Sequence, residues 1–384
     1  MKLGALHIRV ASDSADVESA WQHLEAHGLC TYFQTRAWCL AWAETVGPVI
    51  AARPLYVTGT DEQGRITFLL PLQLRRKFGM TLLEFLTAPH ATYGFGLFDT
   101  DFLQAGAAAW FAEHFSALLA LLPAHDVVYL RDIPDRMLGH PNPLSPLARI
   151  KGANHAFMMK LDTDFENLLS QRRGPETLRS MRKRDKRLVA MGNLTFGAPA
   201  TAAERHRILA QMFSDHELRL AETGVHGIYG PIERGFLSDL TDPAKYGHHA
   251  LIPYALCLDG TPLCVLLGGR ACNTFWAMIT SLADGPWRKH SPGDYTLRHV
   301  IAAQCADGLP WFDFAAGLSD YKLAWADTEI ELNLLLQSSG LRGLPATMAI
   351  ALKHGTKRLL KGNAALRNLV FTLRRLLRGR RVPE

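Results

Sequence analysis

The chain has 384 residues, 48% apolar and 20% charged, which fits a packed globular protein and excludes an intrinsically disordered one. Six scattered cysteines form no C-x-x-C pair and sixteen histidines form no H-E-x-x-H run, which argues against a disulfide framework, a zinc ribbon or any metal centre and suits a reducing cytoplasm. The net charge of +6 is uneven: from Leu341 onward eleven Lys or Arg face one acid, Glu384, so the remainder is acidic on balance.

The opening stretch MKLGALHIRVASDSADVE has no sustained apolar run, so no secretory signal is expected. LHIRVAS predicts a strand, followed by a helix capped by Asp13 or Ser14 that ends at Gly28. A second helix runs from Thr35 to Gly47. PLYVTGTDEQGRITFLLPL reads as a hairpin and TLLEFLT as another strand. DFLQAGAAAWFAEHFSALLALLP has apolar residues at three-to-four spacing; Glu113 and His114 make it a core helix and not a membrane span. DVVYLRDI closes this half, and the proline-rich PDRMLGHPNPLSP marks a boundary.

The second half repeats the order: strand HAFMMKL, helix PETLRSMRKRDKRLVAMG, strand LTFGAP and a long helix ending at Gly224. A hairpin follows around Asp259–Gly260, a strong turn signal, then the strand TFWAMITSL. HSPGDYTLRHVI begins a helix with a Ser-Pro-Gly turn. The strand PWFDFA, a short helix SDYKLAW and a strand EIELNLLL complete the half. The fold class expected is α/β (α+β): two mixed, mostly antiparallel sheets with flanking helices, residues 1–140 and 141–340. A basic helical tail, 341–384, follows.

The Ser-Pro-Gly turn admits two readings: a Ser-capped helix start, or a helix N-terminus whose free N–H groups and partial positive charge hold an anion. Pro292 fits a first helical turn, Gly293 permits close approach to the backbone, and Arg288, Lys289 and His290 lie just before it. Asp313, between Phe312 and Phe314, is an acid on an apolar strand; buried there, it must pair or shift its pKa.

The element order resembles that of the GNAT acyltransferase fold. The stretches LLPLQLRRKFGMTLLEFLTAPHATYG, DHELRLAETG, LDGTPLCVLLGG, SPGDYTLRHVIAAQCADG and WFDFAAGLSDYKLAWAD resemble the cellulose-biosynthesis-type acetyltransferases. In that family the last stretch has the form Asp-Phe, a Gly turn, Tyr-Lys and a Trp, matched here by Asp313, Phe314, Gly317, Tyr321, Lys322 and Trp325. The Fem-type aminoacyl transferases share the tandem GNAT-like fold.

The resemblance implies transfer of an acyl group from acetyl-CoA or another acyl-CoA to an amine or hydroxyl, with a sugar or envelope precursor as acceptor. The loop GPWRKHSPGDY departs from the common pyrophosphate signature Arg/Gln-x-x-Gly-x-Gly/Ala. Its place after the third sheet strand still matches the phosphate loop, which makes Arg288, Lys289, His290, Ser291, Gly293 and Asp294 the expected donor-binding residues. The corresponding helix of the first half starts TDFLQAG, with acids and no such turn, so the donor site is expected in the second half. His216 and Asp313 are candidate bases, and His216 with Arg219 matches the family's His-x-x-Arg. Backbone N–H groups around Met278–Ser281 are expected to face the oxyanion. Tyr321 is placed to protonate the leaving thiolate and Lys322 to hold a phosphate or carboxylate, with Arg219 on the acceptor.

Two further readings come from charge. The run RRGPETLRSMRKRDKR, residues 172–187, suits tRNA in a Fem-type transferase, or is simply a solvated helix face. The tail segments MAIALKHGTKRLLKG and LRNLVFTLRRLLRGRR alternate apolar and basic residues at helical spacing. They suit an anionic membrane surface or an acidic protein partner, a cytoplasmic protein peripheral to the inner membrane, or a non-catalytic partner of a polysaccharide synthase.

Overall fold

The computed structural model describes residues 1–77, 79–222 and 229–362. The expected helix end at Gly224 and the tail beyond Gly362 lie outside the described residues. In the first half the longer elements are β1 (Leu6–Ala11), α1 (Glu18–His27), α2 (Arg36–Val49), β2 (Arg53–Thr60), β3 (Ile66–Lys77), β4 (Met80–Phe85), α3 (Ala107–Ala120) and β5 (Val127–Pro134). In the second they are β6 (Ile150–Lys160), α4 (Phe165–Arg172), α5 (Pro175–Val189), β7 (Leu194–Gly197), α6 (Ala202–Glu222), α7 (Pro231–Asp239) and β8 (Ile252–Leu258). They continue with β9 (Thr261–Ala271), β10 (Thr274–Leu282), α8 (Pro292–Ala306), β11 (Trp311–Ala316), α9 (Asp320–Trp325), β12 (Thr328–Ser338) and α10 (Leu344–Gly362).

Local chemistry explains several boundaries. Thr35 caps α2, its hydroxyl accepting from the Trp38 N–H at 3.3 Å. The single helix expected over residues 101–123 is two helices, Thr100–Gln104 and α3, because Gly106 between them takes φ +106°. The short helices α4 and α7 were not expected. α4 starts at a well-formed cap, Asp164, which accepts from the N–H groups of Glu166 and Asn167.

The mixed α/β class holds, but the two expected sheets are one. The order is β1-β2-β3-β4-β5-β12-β6-β11-β10-β9-β8-β7. The join is β12, which returns from the end of the second half to lie antiparallel between β5 and β6. Neighbours are antiparallel except β4–β5 and β10–β11, one parallel pair in each half. Along β10, Trp276 and Ile279 share one hydrophobic cluster with Leu209 and Met212 of α6; Phe275 and Ala277 share another with Leu297 and Ile301 of α8. Alternate residues of a strand point to opposite faces, so α6 and α8 cover opposite sides of β10. The halves also meet through side chains, with Trp38 of α2 edge-on to Phe236 of α7 at 4.8 Å between ring centroids.

Candidate active site

The site is built where a parallel pair comes apart. β10 and β11 are paired at Thr274–Trp311, Phe275–Phe312 and Trp276–Asp313. Beyond that, β10 follows β9 while β11 follows β6, and the strands diverge. The fork holds a cavity of about 380 Å³ lined by Met278 and Thr280 of β10, Ala315 and Ala316 of β11, and Gly293 and Leu297 of α8. That volume suits one small ligand or the reactive end of a larger one. Opposite β9, Gly268 pairs with Ala277 and Leu267 with Ile279, so Met278 is the extra residue of a β-bulge. A bulge frees a backbone group from the ladder and re-aims it.

The α8 helix opens on this cavity. Ser291 is not an ordinary cap: it takes φ +56° and its side chain makes no cap bond. Pro292 has no N–H, and the N–H groups of Gly293 and Asp294 are too early in the helix for an intrahelical acceptor. A Cβ on Gly293 would meet nothing within 4 Å. The Asp294 carboxylate, which would repel an anion, is taken up by Arg298 at 3.1 Å, itself also paired to Asp185 at 2.7 Å. Of the six expected donor-binding residues, Gly293 and Asp294 line the cavity. Arg288 and Lys289 are exposed outside it, Arg288 paired with Asp284, and His290 is buried.

Beneath the fork lie two buried ionisable groups, an acid and a base. Asp313 is fully buried and accepts from the Tyr93 hydroxyl at 2.5 Å and the Ala315 N–H at 2.8 Å. Burial outweighs these bonds and pushes its carboxyl up to about 7. Lys322 is 7% exposed, lines the cavity, and donates to the carbonyls of Ala315 at 3.2 Å and Ala316 at 3.0 Å. Burial pulls its ammonium down to about 8, and the Asp313 charge offsets this only in part. Two of its three N–H donors are thus used on the β11 backbone. Asp313 does not line the cavity; it acts on the site through Lys322 and through the turn at Ala315, which holds φ +58°.

Arg219 of α6 and Tyr321 of α9 also line the cavity. Tyr321 is 46% exposed, but the desolvation its phenol meets at the cavity raises its pKa, which keeps it protonated at neutral pH. His216, one turn before Arg219, is not among the lining residues; its ring lies 5.2 Å from that of Tyr229, and its buried Nδ1 has no hydrogen-bond partner among the described residues. Burial lowers its pKa, so it is neutral. Tyr93 was not foreseen. It belongs to the first half, 220 residues from Asp313, and no local pattern in the sequence couples the two.

The equivalent fork of the first half is closed. β4 and β5 pair at Leu82–Val127 and Leu83–Val128. Beyond them Gly94 donates its N–H to the Asp132 carbonyl at 2.9 Å, and a Cβ on Gly94 would sit 2.1 Å from the Arg131 carbonyl oxygen. The segment that fills this fork is the one that carries Tyr93 to Asp313.

Residues 175–323, which include the fork, α8 and the Tyr-Lys pair, match the family model described as an acetyltransferase (GNAT) domain. The match lies within the second half of the chain and covers less than half of the whole sequence. The chain is similar to the crystal structure of FemX, with a TM-score of 0.60 at 10% identity over 89% of this chain and 100% of that one. It is also similar to the C-terminal domain of a putative lysylphosphatidylglycerol synthetase from Agrobacterium fabrum, at 0.51 and 14% identity over 89% and 96%. A conserved protein of unknown function from Bacteroides thetaiotaomicron gives 0.50 at 9% identity over 85% and 99%. At these identities the likeness is one of fold. No curated protein matches the chain in sequence.

Proposed function

We propose that this GNAT-fold transferase moves an acyl group from acyl-CoA to an amine or hydroxyl acceptor in the β10–β11 fork. The observation that carries the reading is the 380 Å³ cavity, which places the uncapped start of α8, the bulge at Met278 and the Lys322 amine around one space. The donor's phosphates lie against the N–H groups of Gly293 and Asp294. The thioester carbonyl faces the Met278 N–H, which receives the developing oxyanion. The acceptor attacks, the C–S bond breaks, the acceptor's proton goes to neutral Lys322, and the leaving thiolate takes the Tyr321 proton. Lys322 thereby gains a chemical role in place of the binding role expected from the sequence, and Asp313 positions it. His216 is given no part in the transfer. The resemblance to cellulose-biosynthesis-type acetyltransferases favours a saccharide acceptor.

One observation favours an aminoacyl-tRNA donor instead. Arg179, Arg182, Lys183, Lys186 and Arg187 of α5 are exposed, and none is in an ion pair among the described residues. The two donors are separated by titrating the protein with CoA and with unacylated tRNA at low and moderate salt. CoA binding that survives moderate salt supports the acyl-CoA reading. Binding of tRNA alone, with a steep salt dependence, overturns it.

A further inference from the structure

The helix α10 is built with its apolar face outward. Leu344, Met348, Leu352 and Leu359 follow one another at helical spacing, and Met348, Leu352 and Leu359 are 72%, 73% and 69% exposed. Leu341, just before the helix, is exposed as well. The opposite side packs on β5, β6 and β12. That inner side is partly polar, with His354 Nε2 at 2.9 Å from the Tyr129 hydroxyl, Thr347 bonded to the Gly343 carbonyl, and Ile350 half-buried. A surface helix ordinarily turns its apolar stripe to the core and its polar residues to water. Here the order is reversed, and the contiguous stripe exposed is larger than scattered surface leucines produce.

Charge identifies the occupant. Lys353 flanks the stripe on one side and Arg358 on the other, while Lys357 lies on the sheet-facing side beside His354, all three exposed. No carboxylate occurs between Leu341 and Pro383. Residues 363–384 add six arginines, so neither that segment nor a second copy of α10 complements the stripe's flanks. An apolar stripe with cationic shoulders fits the plane of an anionic lipid surface, where acyl chains meet the leucines and headgroup phosphates meet Lys353 and Arg358. No helix among the described residues is long and apolar enough to cross a membrane, so α10 lies on the surface. We infer that α10 docks the protein on an anionic phospholipid surface through Leu344, Met348, Leu352 and Leu359, with Lys353 and Arg358 on the headgroups. The inference stands independently of the transfer chemistry.

The test is co-sedimentation of the full chain with vesicles of phosphatidylcholine alone and with vesicles in which about a third of the lipid is phosphatidylglycerol. The expected result is roughly tenfold or greater enrichment on the anionic vesicles, weakened by salt. That enrichment should be lost in a Met348→Gln, Leu352→Gln variant and reduced in a Lys353→Glu, Arg358→Glu variant, each with an unchanged melting temperature. Equal binding to neutral vesicles, or no binding to anionic ones, overturns the inference. So does unchanged binding of the Met348→Gln, Leu352→Gln variant, which assigns any membrane contact to residues 363–384. A wild-type dimer that the same variant dissociates also overturns it, giving the stripe to a second copy.

Discussion

At the scale of single residues, the account rests on Lys322 and the group behind it. A lysine ammonium at about pKa 8 is partly neutral near physiological pH and is suited to accept a proton. Lys322→Met should therefore lower turnover about 100-fold or more while leaving the circular dichroism spectrum unchanged. The Asp313 charge raises the Lys322 pKa, so Asp313→Asn should move the rising limb of the pH–rate profile to lower pH by about one unit. Profiles that coincide would disconnect Asp313 from Lys322. The same carboxyl has a consequence for folding. Its pKa is raised in the folded state, so its stabilising effect is full below the ordinary carboxylate range and is lost as pH rises through about 7. Urea midpoints of the wild type should fall across that window by more than those of Asp313→Asn. Tyr93→Phe removes a buried hydrogen bond to this carboxyl and should cost about 2 kcal/mol in urea unfolding.

At the scale of elements, the strand–turn–helix unit β10–α8 was legible because its signals are local. The apolar run TFWAMITSL gives the strand, and Pro292 fixes the helix start. The stretch Met278–Ser281 was marked in the sequence as a range; the bulge that singles out Met278 was not legible, since a bulge appears only when β9 is set beside β10. The buried state of Lys322 was hidden for a similar reason. A lysine in the short amphipathic stretch SDYKLAW reads as solvated, and only the folding of α9 over β11 carries its amine to two backbone carbonyls. The closed first fork yields a prediction at this scale. Gly94 sits where no side chain fits, so Gly94→Val should displace the segment that holds Tyr93. The melting temperature should fall by several degrees, and acyl transfer should weaken although the substitution lies in the other half.

At the scale of the whole molecule, the repeated order of elements led to an expectation of two halves with separate sheets, and the fusion of those sheets was not legible. Each half reads as complete because its pairings within a hairpin are local, whereas β12 pairs across hundreds of residues with β5 on one side and β6 on the other. Such pairing leaves no sequence trace beyond an apolar strand. It also makes the halves one cooperative unit. Thermal unfolding of the full chain should show a single transition with equal calorimetric and van't Hoff enthalpies. Two resolved transitions would mean that the shared strand does not couple the halves. The arrangement explains how the first half, its own fork filled, still serves the second: through Tyr93 it holds the buried acid beneath the cavity.

The proposed acyl-donor site is the β10–β11 fork against the start of α8. The direct measurement is calorimetric titration of CoA and acetyl-CoA into the wild type and a Gly293→Glu variant. A Cβ at Gly293 meets open space, so the variant should fold normally while its carboxylate occupies the cavity and repels phosphate. The account predicts saturable binding to the wild type and its loss, by about 100-fold or more, in the variant. Equal binding in both proteins, or no binding in either, would contradict it.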